Sequence, residues 1–128
     1  MTVKQVITGT GVPAGIGPYS QAVKAAGLVF VSGQPGVDPS TGRVVGPTFS
    51  EQAHQVFRNL DAVLAAADSR PDLVVSTMVL VADQADFVEL NTLFAEFFPV
   101  DPPARMTMQV PLPRGLLLSI GCTAVTAP

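Results

Sequence analysis

Lysine and arginine together number seven in this chain, and one of them, Arg105, opens a strand-like run in Pro102-Pro103-Ala104-Arg105-Met106-Thr107. A guanidinium presents a planar fork of N–H donors that meets both oxygens of a carboxylate at once, which an ammonium cannot do. In a strand, Arg105 shares a face with Thr107 and Gln109, while Met106, Met108 and Val110 point the other way. A polar stripe headed by arginine suits a small anionic pocket. The plainer reading is a strand arginine on a solvated face or in an ion pair. Tyr19, in Gly17-Pro18-Tyr19-Ser20-Gln21, is the only tyrosine. Its phenol can donate a hydrogen bond or orient water, and a phenol is a weaker general base than a histidine or a carboxylate at neutral pH. It serves equally well as a half-buried packing residue with a wet hydroxyl. Gly33, in Val31-Ser32-Gly33-Gln34, lets a ligand approach the backbone or simply makes a turn.

Other chemistries find less support. The only histidine, His54, falls on the polar side of a helical segment with Glu51 and Gln55. No set of His, Cys and carboxylate residues has metal-ligand spacing, so no metal site is expected. There is no Gly-x-Ser-x-Gly nucleophile motif and no phosphate loop, and Cys122 sits inside an apolar strand. A net charge of −3 and scattered basic residues argue against a nucleic-acid backbone as partner. The chain is 48% hydrophobic and only 13% charged, against about 25% charged in ordinary domains. That surplus of apolar surface predicts a homo-oligomer. A single cysteine forms no intrachain disulfide, and no signal core or run of about 20 apolar residues is present, so a cytoplasmic protein without a membrane partner is expected.

These residues need elements to position them. Gln5 to Thr8 reads as a first strand, and Gly9 to Pro18 as a loop. Ala22 to Ala25 and Leu28 to Val31 read as a hairpin turning at Ala26-Gly27. Ser32 to Gly46 is a second loop. Thr48 and Glu51 have capping-box spacing ahead of a helix whose Ala53, Val56, Phe57, Leu60, Val63, Leu64 and Ala67 share one face. Glu51, Gln55, Arg58 and Asp61 fall opposite, and the helix ends before Pro71. Val74 to Ala82 is β-branched and nearly all apolar, which predicts a strand buried on both faces. Asp83 to Asp86 can cap a second helix with Phe87, Leu90, Phe94 and Phe97 inward, ending near Pro99. Strands at Arg105 to Val110 and Leu116 to Val125 complete the order β-ββ-α-β-α-ββ. This is an α+β sandwich of one sheet with both helices on one face, a single domain over residues 1–128.

Together, Gly17-Pro18-Tyr19-Ser20-Gln21-Ala22, Phe30-Val31-Ser32-Gly33-Gln34, Asn59-Leu60, Asn91 with Phe97-Phe98, and Pro103-Ala104-Arg105 resemble the RidA/YjgF family, from about Ile16 to Val125. The resemblance implies a chorismate-mutase-like fold and a homotrimer with a central barrel and intersubunit clefts. It also implies cofactor-free hydrolysis of reactive enamines and imines, such as 2-aminoacrylate, to 2-keto acids and ammonia. By the same resemblance, Arg105 binds the substrate carboxylate, Tyr19 lines the cleft, and the backbone at Gly33 approaches the substrate. Thr107 stands where many members carry cysteine and where the backbone does much of the binding. Asn91 matches an asparagine of the second helix, and a helix-surface amide is an equal reading of it.

One departure is chemical. The resemblance places a water-binding glutamate of the deaminase-active branch at Ser119, and Leu116 to Val125 contains no acidic residue. A general base typically contributes 10²–10⁴-fold, so its loss predicts slower hydrolysis rather than none. Ser119 retains the ability to hold water but not to take its proton. The sequence therefore leaves open a weak deaminase or a protein that binds small 2-keto or 2-imino acids without turnover. Ribonuclease or translation-inhibitor activity, also attached to some members of the family, is disfavoured by the acidic charge balance.

Overall fold

A computed structural model describes residues 3–9 and 17–128. Its elements are β1 (Gln5–Val6), β2 (Ala22–Ala25), β3 (Leu28–Pro35), α1 (Phe49–Ala66), β4 (Val74–Val81), α2 (Phe87–Phe97), β5 (Ala104–Gln109) and β6 (Leu118–Val125). This is the α+β order that the hydrophobic pattern predicts. Most of the predicted loop 9–18 lies outside the described residues.

The strands form one sheet in the order β1-β2-β3-β6-β4-β5. All neighbours are antiparallel except β4 and β5, which α2 connects by a parallel crossover. The β2–β3 hairpin turns at Ala26 and Gly27, both at positive φ (53° and 78°). That is the paired left-handed geometry matching strand twist, and a non-glycine residue there is conformationally costly. The Thr48–Glu51 capping box forms at the start of α1, with the Thr48 side chain accepting from the Glu51 amide.

Both helices cover the same face. Val29, Val79, Val81, Leu118, Ile120 and Ala124 on that face are buried against Ala53, Val56, Leu60, Val63 and Leu64 of α1 and Leu90 of α2. An aromatic wedge joins the helices: Phe57 stacks on Phe97 at 4.7 Å, and Phe94 meets Phe98 at 4.8 Å. Each such pair adds about 0.5–1.5 kcal/mol beyond its buried area.

Three details depart from the sequence reading. Within one chain β4 is not buried on both faces: Thr77, Val79 and Val81 are enclosed, but Met78 is 49% exposed, because helices cover one side only. β3 runs on to Pro35, through a register shift between Val31 and Gln34 that leaves one extra residue on β3. Gln55 is buried rather than solvated. Its amide donates to Asn59 Oδ1, its Oε1 accepts from Arg58, and Asn59 in turn donates to the Pro35 and Val37 carbonyls. The segment after β3 folds over this side of α1, and helical periodicity carries no sign of that.

Candidate functional site

Arg105 pairs with Thr77 across the parallel β4–β5 ladder, which puts its side chain on the helix-covered side of the sheet edge. There Nη2 donates to Asn91 Oδ1 at 2.8 Å, and Cζ stands 5.0 Å from the centre of the Phe94 ring. Asn91 and Phe94 are three apart in α2, so one helical face supplies both. A neutral amide and a ring face fix the guanidinium without neutralising it. Neither ion pair found among the described residues, Lys24–Asp68 or Arg70–Asp72, involves Arg105. The result is an exposed, oriented cation with donors to spare.

Thr107 follows on the same strip of β5. Its hydroxyl is closed off from solvent and has no hydrogen-bond partner among the described residues. Such an orphan costs about 1–3 kcal/mol. Gln109, next along the strip, is structural: its Oε1 accepts from the Gln84 amide ahead of α2.

Gly33 and Ser119 meet elsewhere. The irregularity in β3 lifts Ser32 and Gly33 out of the regular ladder, as a β-bulge does next to many sites. The segment after Tyr19 clamps it. Ser32 donates through its amide to the Gln21 carbonyl and through its hydroxyl to the Ser20 carbonyl, at 2.8 and 2.6 Å. Gln34, fully buried, donates to Gln21 Oε1 and to the Ser32 carbonyl. A Cβ on Gly33 would stand 2.6 Å from Ser119 Oγ, so glycine is what allows the two strands to touch here. Ser119 is paired with Leu80 and Pro35 and faces away from the helices. It borders an open hollow of about 660 Å³ whose walls include Ser20, Phe30, Gly33, Met78 and Thr123. Tyr19 is 49% exposed and its ring lies against Gly17.

The expected site residues thus fall into two groups. Arg105, Asn91 and Thr107 form one, Gly33 and Ser119 the other, with Tyr19 on the segment clamped to the bulge. Three strand steps separate β3 from β5, roughly 14 Å at normal strand spacing, and the groups lie on opposite faces of the sheet. The sequence reading did not assign Phe94, Ser32 or Gln34 to the site. The spacing of Asn91 and Phe94 was the available signal for the first; the bulge that recruits the other two left none.

Reactive alternatives recede. Burial pushes the Cys122 thiol up to about 12, so it is protonated and inert at neutral pH. His54 is exposed and its Nδ1 lies 2.7 Å from the Ser50 carbonyl in its own helix.

Known proteins share this architecture. The family model described as Endoribonuclease L-PSP matches residues 10–126. The chain is 42% identical over 122 residues to Reactive Intermediate Deaminase A, chloroplastic, of Arabidopsis thaliana, covering 94% of this chain and 65% of that longer protein. It is 42% identical over 127 residues to the 2-iminobutanoate/2-iminopropanoate deaminase of Mus musculus, covering 98% of this chain and 94% of that one. The crystal structure of E. coli TdcF with bound serine superposes with a TM-score of 0.89 at 31% identity, covering 96% of this chain and 99% of that chain. A six-stranded sheet with both helices on one face is the α+β architecture this chain shares with them. The chain belongs to the RidA/YjgF family.

Proposed function

We propose that the protein hydrolyses 2-imino acids and their 2-enamine tautomers, such as 2-aminoacrylate, to 2-keto acids and ammonia. The observation that carries this reading is Arg105, oriented by Asn91 and Phe94 and free of any carboxylate partner among the described residues. The deaminase names of the mouse and Arabidopsis relatives support it, as does a related structure holding serine, itself a small amino carboxylate.

In this reading the substrate carboxylate docks on the free edge of the Arg105 guanidinium, which fixes C2 in place. The enamine takes a proton at its terminal carbon to become the imine. Water adds to C2, the nitrogen gains a proton, and the tetrahedral aminol expels ammonia to leave the keto group. No oxidant or cofactor enters this balance. Arg105 contributes orientation and charge, Tyr19 a hydrogen-bond donor to the nitrogen or water, and the main chain at Gly33 and Thr107 further polar contacts. Ser119 holds the attacking water and takes no proton from it, so turnover runs below that of a site with a carboxylate there by some part of the usual ~10²–10⁴-fold.

The cleft is completed between copies of the chain. Its two groups stand on opposite faces of one sheet. The face without helices exposes Phe30, Met78 and Met106 at 47–55%, which is the kind of patch that subunits cover. A homotrimer with a central barrel and intersubunit clefts accommodates both facts. Among the described residues, no helix is long and apolar enough to cross a membrane.

The absence of any carboxylate from β6 favours a second reading: binding of 2-keto or 2-imino acids without turnover. Ribonuclease activity, suggested by the name of the family model, has little electrostatic support in a chain of net charge −3. The deciding experiment measures keto acid and ammonia released from freshly generated 2-imino acids by wild type, Arg105→Ala and Ser119→Glu. Wild-type turnover that vanishes in Arg105→Ala is the expected result. Turnover only in Ser119→Glu would replace the deaminase with the binding protein.

A further inference from the structure

Thr107 lies two residues beyond Arg105 on the same strip of β5, roughly 7 Å along the strand. Its hydroxyl is shut off from solvent without a partner among the described residues, although the residue as a whole is only half-buried. What Thr107 shows to solvent is therefore carbon or main chain. Thr77 on the neighbouring strand displays the ordinary solution, its hydroxyl donating to the Ala104 carbonyl at 3.0 Å. Buried polar atoms are nearly always paired, and an orphan beside an unneutralised guanidinium calls for a physical reason.

We propose that Thr107 is the second anchor of the carboxylate held by Arg105, its hydroxyl turning outward when a 2-keto or 2-imino acid binds. The inference rests on the reading of Arg105 as a carboxylate clamp. A turn of about 120° about χ1 moves the side chain between staggered wells and brings the hydroxyl out of the wall with the backbone in place. Two effects drive the turn in the same direction. An ionised acceptor makes a stronger hydrogen bond than a neutral one, and the buried orphan disappears. The arrangement adds a donor that a cysteine at this position supplies only weakly, so this chain holds its ligand by charge and by a hydroxyl together.

Calorimetric titration of the assembled protein with 2-oxobutanoate tests this. Thr107→Val keeps the shape and removes the hydroxyl. Its Kd is expected to rise about tenfold, the size of one hydrogen bond to a charged group, while Tm stays level or rises because an unpaired buried hydroxyl is gone. Thr107→Ser is expected to bind within about threefold of wild type, having kept that hydrogen bond. Wild-type affinity in Thr107→Val, with binding lost in Arg105→Ala, would overturn the anchor and leave the clamp standing. Equal weakening in the Val and Ser variants, with a lowered Tm, would mark Thr107 as a packing residue and overturn it too. Wild-type affinity in Arg105→Ala would remove the clamp itself, and the anchor with it.

Discussion

The two faces of the sheet share their strands and almost nothing else. On β6, Leu118, Ile120, Cys122 and Ala124 point toward the helices and are buried, while Ser119, Gly121 and Thr123 point away and are partly open. On β4 and β5 the open face carries Met78, Met106 and Met108, all exposed. A sheet whose outer face met only water would alternate apolar with charged residues. This one alternates buried aliphatics with small polar residues and methionines, adaptable side chains of the kind found at binding surfaces. One face is finished by the chain's own helices; the other is left open by them, and it carries half of the candidate site.

The contrast can be broken at adjacent residues. Ile120→Ala, on the covered face, should cost about 2–5 kcal/mol in urea unfolding, whereas Ser119→Ala next to it should stay within about 0.5 kcal/mol. Equal costs would mean that the faces are not energetically distinct. The open face should instead respond in assembly. If the proposed trimer forms through this face, Met78→Glu with Met106→Glu shifts sedimentation from trimer to monomer with the far-UV circular dichroism preserved; an unchanged trimer would remove that face from the interface, and a monomeric wild type would remove the trimer.

Two smaller effects sharpen the account of the covered face. The Cys122 thiol, raised by burial from 9.0 to about 12, stays protonated in the folded chain after it would ionise in the unfolded one. Folded stability is therefore fully present below pH 9 and is lost as pH rises toward 12, by about 1.4 kcal/mol per unit at most. Cys122→Ala should flatten that decline, and identical slopes in the two proteins would contradict it. Thr48→Ala removes the side-chain half of the capping box and should cost about 1 kcal/mol, read as a lower urea midpoint with unchanged slope.

Much of this was legible in the chain. Alternation put Arg105, Thr107 and Gln109 on one strip, and the register with Thr77, Val79 and Val81 shows that strip facing inward. The capping box and the Ala26-Gly27 turn were local chemistry and were read as such. Strand order was not local. Nothing in Ser119 or Arg105 tells that two strand steps and the thickness of the sheet lie between them. Sequence reasoning therefore gathered one list of site residues where a single chain holds two groups. The bulge at Ser32–Gly33 was hidden for a related reason: it exists through pairing with β6, some ninety residues away.

The placement of β6 also sets an order of events during synthesis. The last strand in chain order lies in the interior of the sheet, hydrogen-bonded to β3 on one side and β4 on the other. Until it emerges from the ribosome, those two strands present unpaired inner edges, the most aggregation-prone surface a sheet can offer. The hairpin, α1 and the parallel β4–α2–β5 unit can form early from local contacts, but they have nothing to join them. Loss of Leu118–Val125 would therefore do more than shorten the sheet: it would leave two fragments of a sheet with no strand between them.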